Sequence, residues 1–222
     1  MLALVGAGML GALTFPLLAV WAIDAWGPRA TGAVLFALGL ASFAFPRLEV
    51  PGLGRASRAL LVALPGLAAL TDDARFLRLV PAALEALLAA AFVGSLAGGS
   101  SLLERAALVL EPFAPDFIAP YCRKATLAFA ALFALQALTL VGLALAAPEP
   151  GWATRASLAV WAPTLAATAL EFAVRKAWFR HYGEGPVDRL LRRLMPPEHT
   201  AQGRRSLEYI RKRRVELGLP PP

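Results

Sequence analysis

Charge, cysteine and histidine are all scarce in this sequence. Charged residues make up 17% of the 222, against about a quarter in ordinary soluble domains, while 58% are hydrophobic and the mean hydropathy is +0.61. The single cysteine, Cys122, excludes an intramolecular disulfide and a thiolate metal cluster. Both histidines, His181 and His199, lie near the C-terminus, which excludes many metal and Cys/His chemistries from the membrane core. No metal site and no cofactor is therefore expected. A P-loop, a zinc motif, a Ser-His-Asp arrangement and an internal repeat are also missing. Strict period-2 alternation is missing as well, which argues against a lipid-facing β-barrel. The N-terminus carries no Lys/Arg n-region, and its first apolar run is too long for a signal-peptide core, so it reads as a retained transmembrane helix.

What is present is long blocks of Ala, Leu, Val and Phe, with charges clustered between them. A hydrocarbon layer about 30 Å thick takes roughly 20 helical residues to cross. The blocks predict an all-α, polytopic transmembrane bundle over residues 1–180 with six spans: 2–23, 31–45, 59–70, 77–97, 125–147 and 156–179. Pro16 predicts a kink in the first span, Asp24–Arg29 a turn, and Trp21 and Trp26 interfacial anchors. The third span, Ala59–Leu70, is short and interrupted by Pro65-Gly66. Pro148-Glu149-Pro150-Gly151 ends the fifth.

The net charge of +7 is uneven: residues 1–174 hold 10 basic and 10 acidic residues, whereas 175–222 hold 12 against 5. Counting Lys and Arg in the loops favours a cytoplasmic C-terminus. The inner loops then hold Arg47, Arg55 and Arg58, followed by Arg105, Arg123 and Lys124; the outer loops hold Arg29, Arg75 with Arg78, and Arg155. Six spans also put the N-terminus on the cytoplasmic side. Segment 101–111 (SLLERAALVLE) is amphipathic and too short to span, so it is expected to lie along the cytoplasmic surface. The basic tail, 181–222, predicts one amphipathic helix opening at Gly185-Pro186, with Val187, Leu190, Leu191 and Leu194 on one face. A second, more polar helix is predicted over Thr200–Leu217 with RKRR at Arg211–Arg214. Anionic lipid headgroups, rather than nucleic acid, are the expected partner of such a tethered tail.

Ionisable groups in spanning segments point to function, because each costs a few kcal/mol on insertion scales unless paired or hydrated. Glu85 lies a turn after Pro81, in a region expected to be open and polar. It reads either as a proton-carrying or substrate-orienting carboxylate or as a Glu near the outer interface helped by Arg78. Gln136 and Thr139 are expected to hydrogen-bond across helices as packing contacts. Glu171 precedes Arg175 by four residues, the favourable order for a helical ion pair. Tyr121, Cys122, Arg123, Lys124 and Thr126, at the mouth of the fifth span, concentrate donors at headgroup level. They read as ordinary anchoring or, with Arg105, as a site for an anionic headgroup, a phosphate or an acyl carboxylate. Glu104, Glu111 and Tyr121 are the candidates for catalysis at this interface.

From Leu79 to Arg175 the sequence resembles a family of small bacterial inner-membrane proteins whose genes travel with acyl carrier proteins, acyltransferases and ketoacyl synthases in aryl-polyene and related clusters. The residues that carry the resemblance are Val80-Pro81 with Glu85, Leu103-Glu104-Arg105, Glu111-Pro112, the run Tyr121 to Thr126, and Glu171 with Arg175. The family more usually has Asn where this chain has Glu85, and the tail beyond Arg180 is longer than the family pattern. Members are often labelled ketosynthase. That chemistry needs an activated Cys with His or Lys partners on a soluble α/β fold, and no histidine precedes His181 here. The resemblance implies an accessory membrane component of an acyl or polyene lipid pathway, with an acidic acyl carrier protein or other pathway enzymes as partners. A lipid transporter or flippase, and a membrane-embedded acyl- or headgroup-transferase, are the alternatives.

Overall fold

The computed structural model describes residues 2–44, 55–110, 114–146, 151–180, 182 and 185–218. Every regular element among them is helical: α1 (Leu2–Ala44), α2 (Arg55–Thr71), α3 (Ala74–Arg78), α4 (Val80–Ser95), α5 (Leu102–Leu110), α6 (Ala119–Leu145), α7 (Trp152–Phe179), α8 (Pro186–Leu194) and α9 (Ala201–Glu216). Short 3₁₀ turns at Asp116–Ile118 and Pro197–His199 lead into α6 and α9. Among the described residues, three helical stretches are long and apolar enough to cross a membrane: Ala74–Ser95, Asp116–Leu145 and Trp152–Phe179. The apolar part of α2, Ala59–Thr71, is shorter.

Several boundaries differ from those expected, each for a local reason. The turn predicted at Asp24–Arg29 contracts to Gly27 alone, whose φ of 80° and ψ of 165° break α1 into two helices that otherwise abut. Glycine reaches that conformation without a Cβ clash, and Pro28 then opens the second half with a φ suited to a first helical turn. The fourth span divides at Leu79 into α3 and α4. Asp73 caps α3 by accepting from the Arg75 amide at 2.8 Å. The fifth span begins at Ala119 rather than 125, because Pro120 falls in the first turn, where its missing N–H costs nothing. The sixth begins at Trp152, directly after Gly151 at a φ of 89°.

The chain forms two compact units, residues 1–91 with 130–164, and 92–129 with 165–222. In the first unit α1 and α2 are joined at a glycine seam. A Cβ on Gly32 would lie 2.7 Å from both the Ala69 amide nitrogen and the Pro65 carbonyl oxygen. Gly39 instead faces the Val62 side chain, and Gly66 faces the Phe36 ring. Such close backbone approach is how helices gain packing energy in lipid, where the tails are as apolar as leucine. Asp72 strengthens the joint by accepting from the Arg29 amide at 3.0 Å, which caps the second half of α1. A second cluster gathers Ala82, Leu140, Trp152, Ala153 and Ala156.

In the second unit the core is Ala107, Ala114, Ile118, Cys122 and Phe179, flanked by Leu103, Phe117 and Tyr121. The tail is folded onto this unit. A Cβ on Gly203 would run into the Pro197 carbonyl, so α9 turns back tightly beneath the 3₁₀ turn that precedes it. Thr200 caps α9 by accepting from the Gly203 amide at 3.1 Å. Ser206, fully buried, donates to the Phe179 carbonyl at 2.9 Å.

Candidate functional site

In the second unit, α5 is fixed by a reciprocal cap. The Ser101 amide donates to Glu104 Oε2 at 3.2 Å, and the Ser101 hydroxyl accepts from the Glu104 amide at 3.4 Å. Glu104, a catalytic candidate from sequence, is thereby occupied in capping the helix. Ser101-Leu102-Leu103-Glu104 carries this capping-box signature in the sequence itself. Glu111 lies outside the described residues.

The run at the start of α6 is divided by the helix. Tyr121 donates to the Glu171 carbonyl at 3.3 Å and packs edge-on against Phe179 with ring centroids 5.4 Å apart. Cys122 is buried at 2% exposure, where no incoming substrate reaches its thiol. Thr126, expected to donate to a headgroup, is fully buried. Its hydroxyl donates to the Cys122 carbonyl at 2.7 Å and accepts from the Leu103 amide at 3.4 Å, so it ties α5 to α6. Arg123 and Lys124 are exposed, and the Arg123 guanidinium reaches the Leu96 carbonyl at 3.0 Å, which holds the turn before α5. Arg105 is exposed too. The donors expected to form one site thus separate into an outward cationic rim (Arg105, Arg123, Lys124) and an inward packing set (Tyr121, Cys122, Thr126).

Glu171 and Arg175 form their ion pair along α7 at 3.1 Å. One residue on, Lys176 is only 2% exposed and bonds Asp188 of α8 at 2.9 Å. The rings of Phe172 and Tyr182 lie 5.6 and 5.9 Å from its ammonium. Tyr182 donates to the Met195 carbonyl at 2.8 Å, and Arg180 donates to that of Pro196 at 2.7 Å. Burial, the largest influence, pushes the Tyr182 phenol above its ordinary pKa. Phe117 receives Arg205 over its face at 4.5 Å and Tyr209 at its edge. This latch was not anticipated from sequence. Lys176 gives no sign there of being buried, since its partner arrives from a different helix.

In the first unit Glu85 is 4% exposed, and its Oε2 has no hydrogen-bonding partner. Pro81 and Glu85 are themselves buried, and the opening beside them is apolar rather than polar. Pro81 sits in the first turn of α4, where it removes no intrahelical bond. Arg78, expected to assist Glu85, lies over the Trp152 ring at 5.9 Å. Gln136 donates from α6 to the α7 carbonyl of Val160 and to the Thr164 hydroxyl, both at 2.9 Å. Thr139 instead bonds within its own helix, to the Leu135 carbonyl at 2.9 Å, and is exposed. An apolar groove of about 550 Å³ runs along α4 and α6, floored by Ala82, Ala83, Ala86, Ala89, Ala134 and Ala137. Among the described residues no group of three or more His, Cys, Asp or Glu side chains is placed to hold a metal.

Among the described residues these features define an all-helical protein with three helical stretches able to cross a membrane and a folded basic tail. Compared with known proteins, the chain matches no family model, no curated sequence and no solved structure.

Proposed function

We propose that the chain is a six-span protein of a bacterial inner membrane, with both termini cytoplasmic, that serves an acyl or polyene lipid pathway by holding an acyl chain and handing it on at the cytoplasmic face. One observation carries this reading. Near the start of α6, Glu104 caps a helix and Glu171 is paired with Arg175, whereas Arg105, Arg123 and Lys124 stay exposed and outnumber the one exposed acid among the described residues beside them, Asp116. Arg211 and Lys212, exposed in α9, extend the same sign, while Arg213 beside them pairs with Glu216 at 3.1 Å. Such a rim suits an acidic acyl carrier protein, and the alanine-floored groove suits an apolar chain. The resemblance over Leu79–Arg175 points to the same pathway class.

Attraction of this kind weakens as salt rises. Purified full-length protein is expected to bind an acidic acyl carrier protein at low ionic strength, and to lose most of that binding in the Arg105→Glu/Lys124→Glu variant. Binding that is absent, or indifferent to salt, overturns the reading.

The second reading is a lipid transporter, favoured by Glu85. A buried carboxylate in a spanning helix with an unpartnered oxygen suits a polar path. Lipid flux in proteoliposomes that is lost on Glu85→Gln would select it. The transferase reading gains least, since Glu104 and Tyr121 spend their polar atoms on a cap and on a carbonyl.

A further inference from the structure

The two tail helices present different surfaces. On α8, Val187, Leu190 and Leu194 fall at i, i+3 and i+7, which places them on one side of the helix. They are 55%, 57% and 68% exposed. α9 has no comparable stripe: Ile210 is buried, and Arg211, Lys212 and Arg213 are exposed.

The roll of α8 is fixed from its other side. Asp188 is held by Lys176 at 2.9 Å, and Arg192 reaches the Tyr182 carbonyl at 3.4 Å. Turning the stripe inward would break both contacts and strand the Lys176 ammonium in a nearly closed aromatic pocket. Lys176 belongs to the last turn of α7, one of the helices able to cross a membrane. The anchor therefore sets α8 beside the end of that helix, where Trp178 is also 65% exposed. Trp at that position is typical of the membrane–water boundary.

We propose that α8 lies in the headgroup layer of an anionic bilayer, with Val187, Leu190 and Leu194 among the acyl chains and Arg189 and Arg193 near lipid phosphates. The Lys176–Asp188 pair sets its roll. Charge decides for anionic lipid as the occupant: α8 carries three arginines against one aspartate, and that aspartate is neutralised by Lys176. A short helix with an apolar stripe and an arginine-rich opposite face is the form that binds such surfaces. Long arginine side chains reach the phosphates while their stems stay near the apolar layer. This assignment does not rest on the acyl-carrier reading, since it concerns lipid rather than a soluble partner.

The test uses the full chain reconstituted in nanodiscs. Because Cys122 is the only cysteine, Leu190→Cys or Glu208→Cys in a Cys122→Ala background accepts one environment-sensitive fluorophore. In phosphatidylglycerol nanodiscs the label at position 190 is expected to emit at shorter wavelength. Doxyl lipids should quench it several-fold more than the label at 208. That excess should fall by more than half in phosphatidylcholine, and likewise in the Arg189→Glu/Arg193→Glu variant. Equal quenching at 190 and 208 overturns the proposal. Quenching at 190 that ignores lipid charge overturns its anionic part. Self-quenching between copies labelled at 190, without quenching by doxyl lipid, reassigns the stripe to a second copy and also overturns it. If Cys122→Ala does not fold, Cys122 is kept, since its burial shields it from the label and unsubstituted protein gives the background.

Discussion

Glycines set against a facing backbone, a valine and a ring join α1 to α2 in the first unit, whereas charged and aromatic side chains reaching for carbonyls and rings hold the second. Gly32, Gly39 and Gly66 leave no room for a Cβ between α1 and α2. In the second unit, Lys176, Arg180, Tyr182, Arg205 and Ser206 each reach across to a carboxylate, a carbonyl or a ring. Composition follows the same division: the second unit holds 15 of the 22 Lys and Arg residues and 9 of the 15 Asp and Glu. On the six-span reading proposed above, the contrast is what two solvents demand. Between helices in hydrocarbon there is little hydrophobic drive, so contact area from small residues and a few hydrogen bonds must suffice. Where water and headgroups are near, long cationic side chains can be partly desolvated and still find partners.

The sharpest way to break this comparison is to fill the seam. Gly32→Leu places carbon where the backbone of α2 already stands, and backbone cannot move aside as a side chain can. The expected loss is about 3 kcal/mol, at the upper end of overpacking effects, read as lowered thermal stability in detergent. Gly94→Leu is the control, because nothing lies within 4 Å of its Cβ position; it should leave stability unchanged. Equal effects at the two sites would show that the seam does not carry the first unit.

The corresponding break in the second unit is Asp188→Ala, which leaves Lys176 buried without its carboxylate. Removing one partner from a buried pair costs 3–5 kcal/mol in general, and partial exposure of Asp188 lowers the expectation to about 2 kcal/mol. The loss should be confined to the tail. Trypsin should cut among Arg204–Arg214 faster, with the melting of the spanning helices little changed. Lys176→Met combined with Asp188→Leu should recover most of the stability, because neither charge is then stranded. If the double variant is worse than the single one, the pair itself, rather than relief of a stranded charge, is the stabilising element.

The two units also differed in how far the chain alone disclosed them. Helix starts marked by local chemistry were readable: Gly185-Pro186 opens α8 and Thr200 caps α9, each within a few residues. Long apolar runs locate α4, α6 and α7, though α6 begins at Ala119, ahead of the expected 125, with Pro120 in its first turn. The glycine seam was hidden because its meaning depends on which backbone lies opposite, and Gly32 looks no different in sequence from Gly94. Thr126 misled for a related reason. A hydroxyl beside Arg123 and Lys124 suggests a headgroup donor, but the helical turn carries it inward while those cations stay outside. The capping box of α5 is legible in Ser101-Leu102-Leu103-Glu104, alongside the amphipathic pattern that also accounts for Glu104.

That cap gives a smaller test of the second unit. Glu104→Ala removes the acceptor for the Ser101 amide and should cost about 1 kcal/mol, the usual size of an N-terminal cap. Hydrogen exchange should quicken at the start of α5, without a general loss of fold. Glu104→Gln should retain most of the cap, since its amide oxygen can still accept. A transferase activity abolished by Glu104→Gln while the exchange pattern stayed intact would separate chemistry from capping and revive the catalytic role.

The smallest expected effect lies back in the first unit, at its most polar bridge. Gln136 gives its amide protons to the Val160 carbonyl and the Thr164 hydroxyl. Counted as contacts in water, the pair suggests a large contribution. In a membrane the reference state also finds partners, and such bonds average about 0.6 kcal/mol. Gln136→Leu should therefore cost no more than about 1 kcal/mol in detergent or bicelle unfolding, well below Gly32→Leu. The Val160 carbonyl keeps its place in the α7 ladder, and leucine fills much of the space the amide vacates. A loss near that of Gly32→Leu would mean that the polar bridge, not the glycine seam, organises the first unit. The contrast with the second unit would then be one of degree, with side-chain hydrogen bonds governing both.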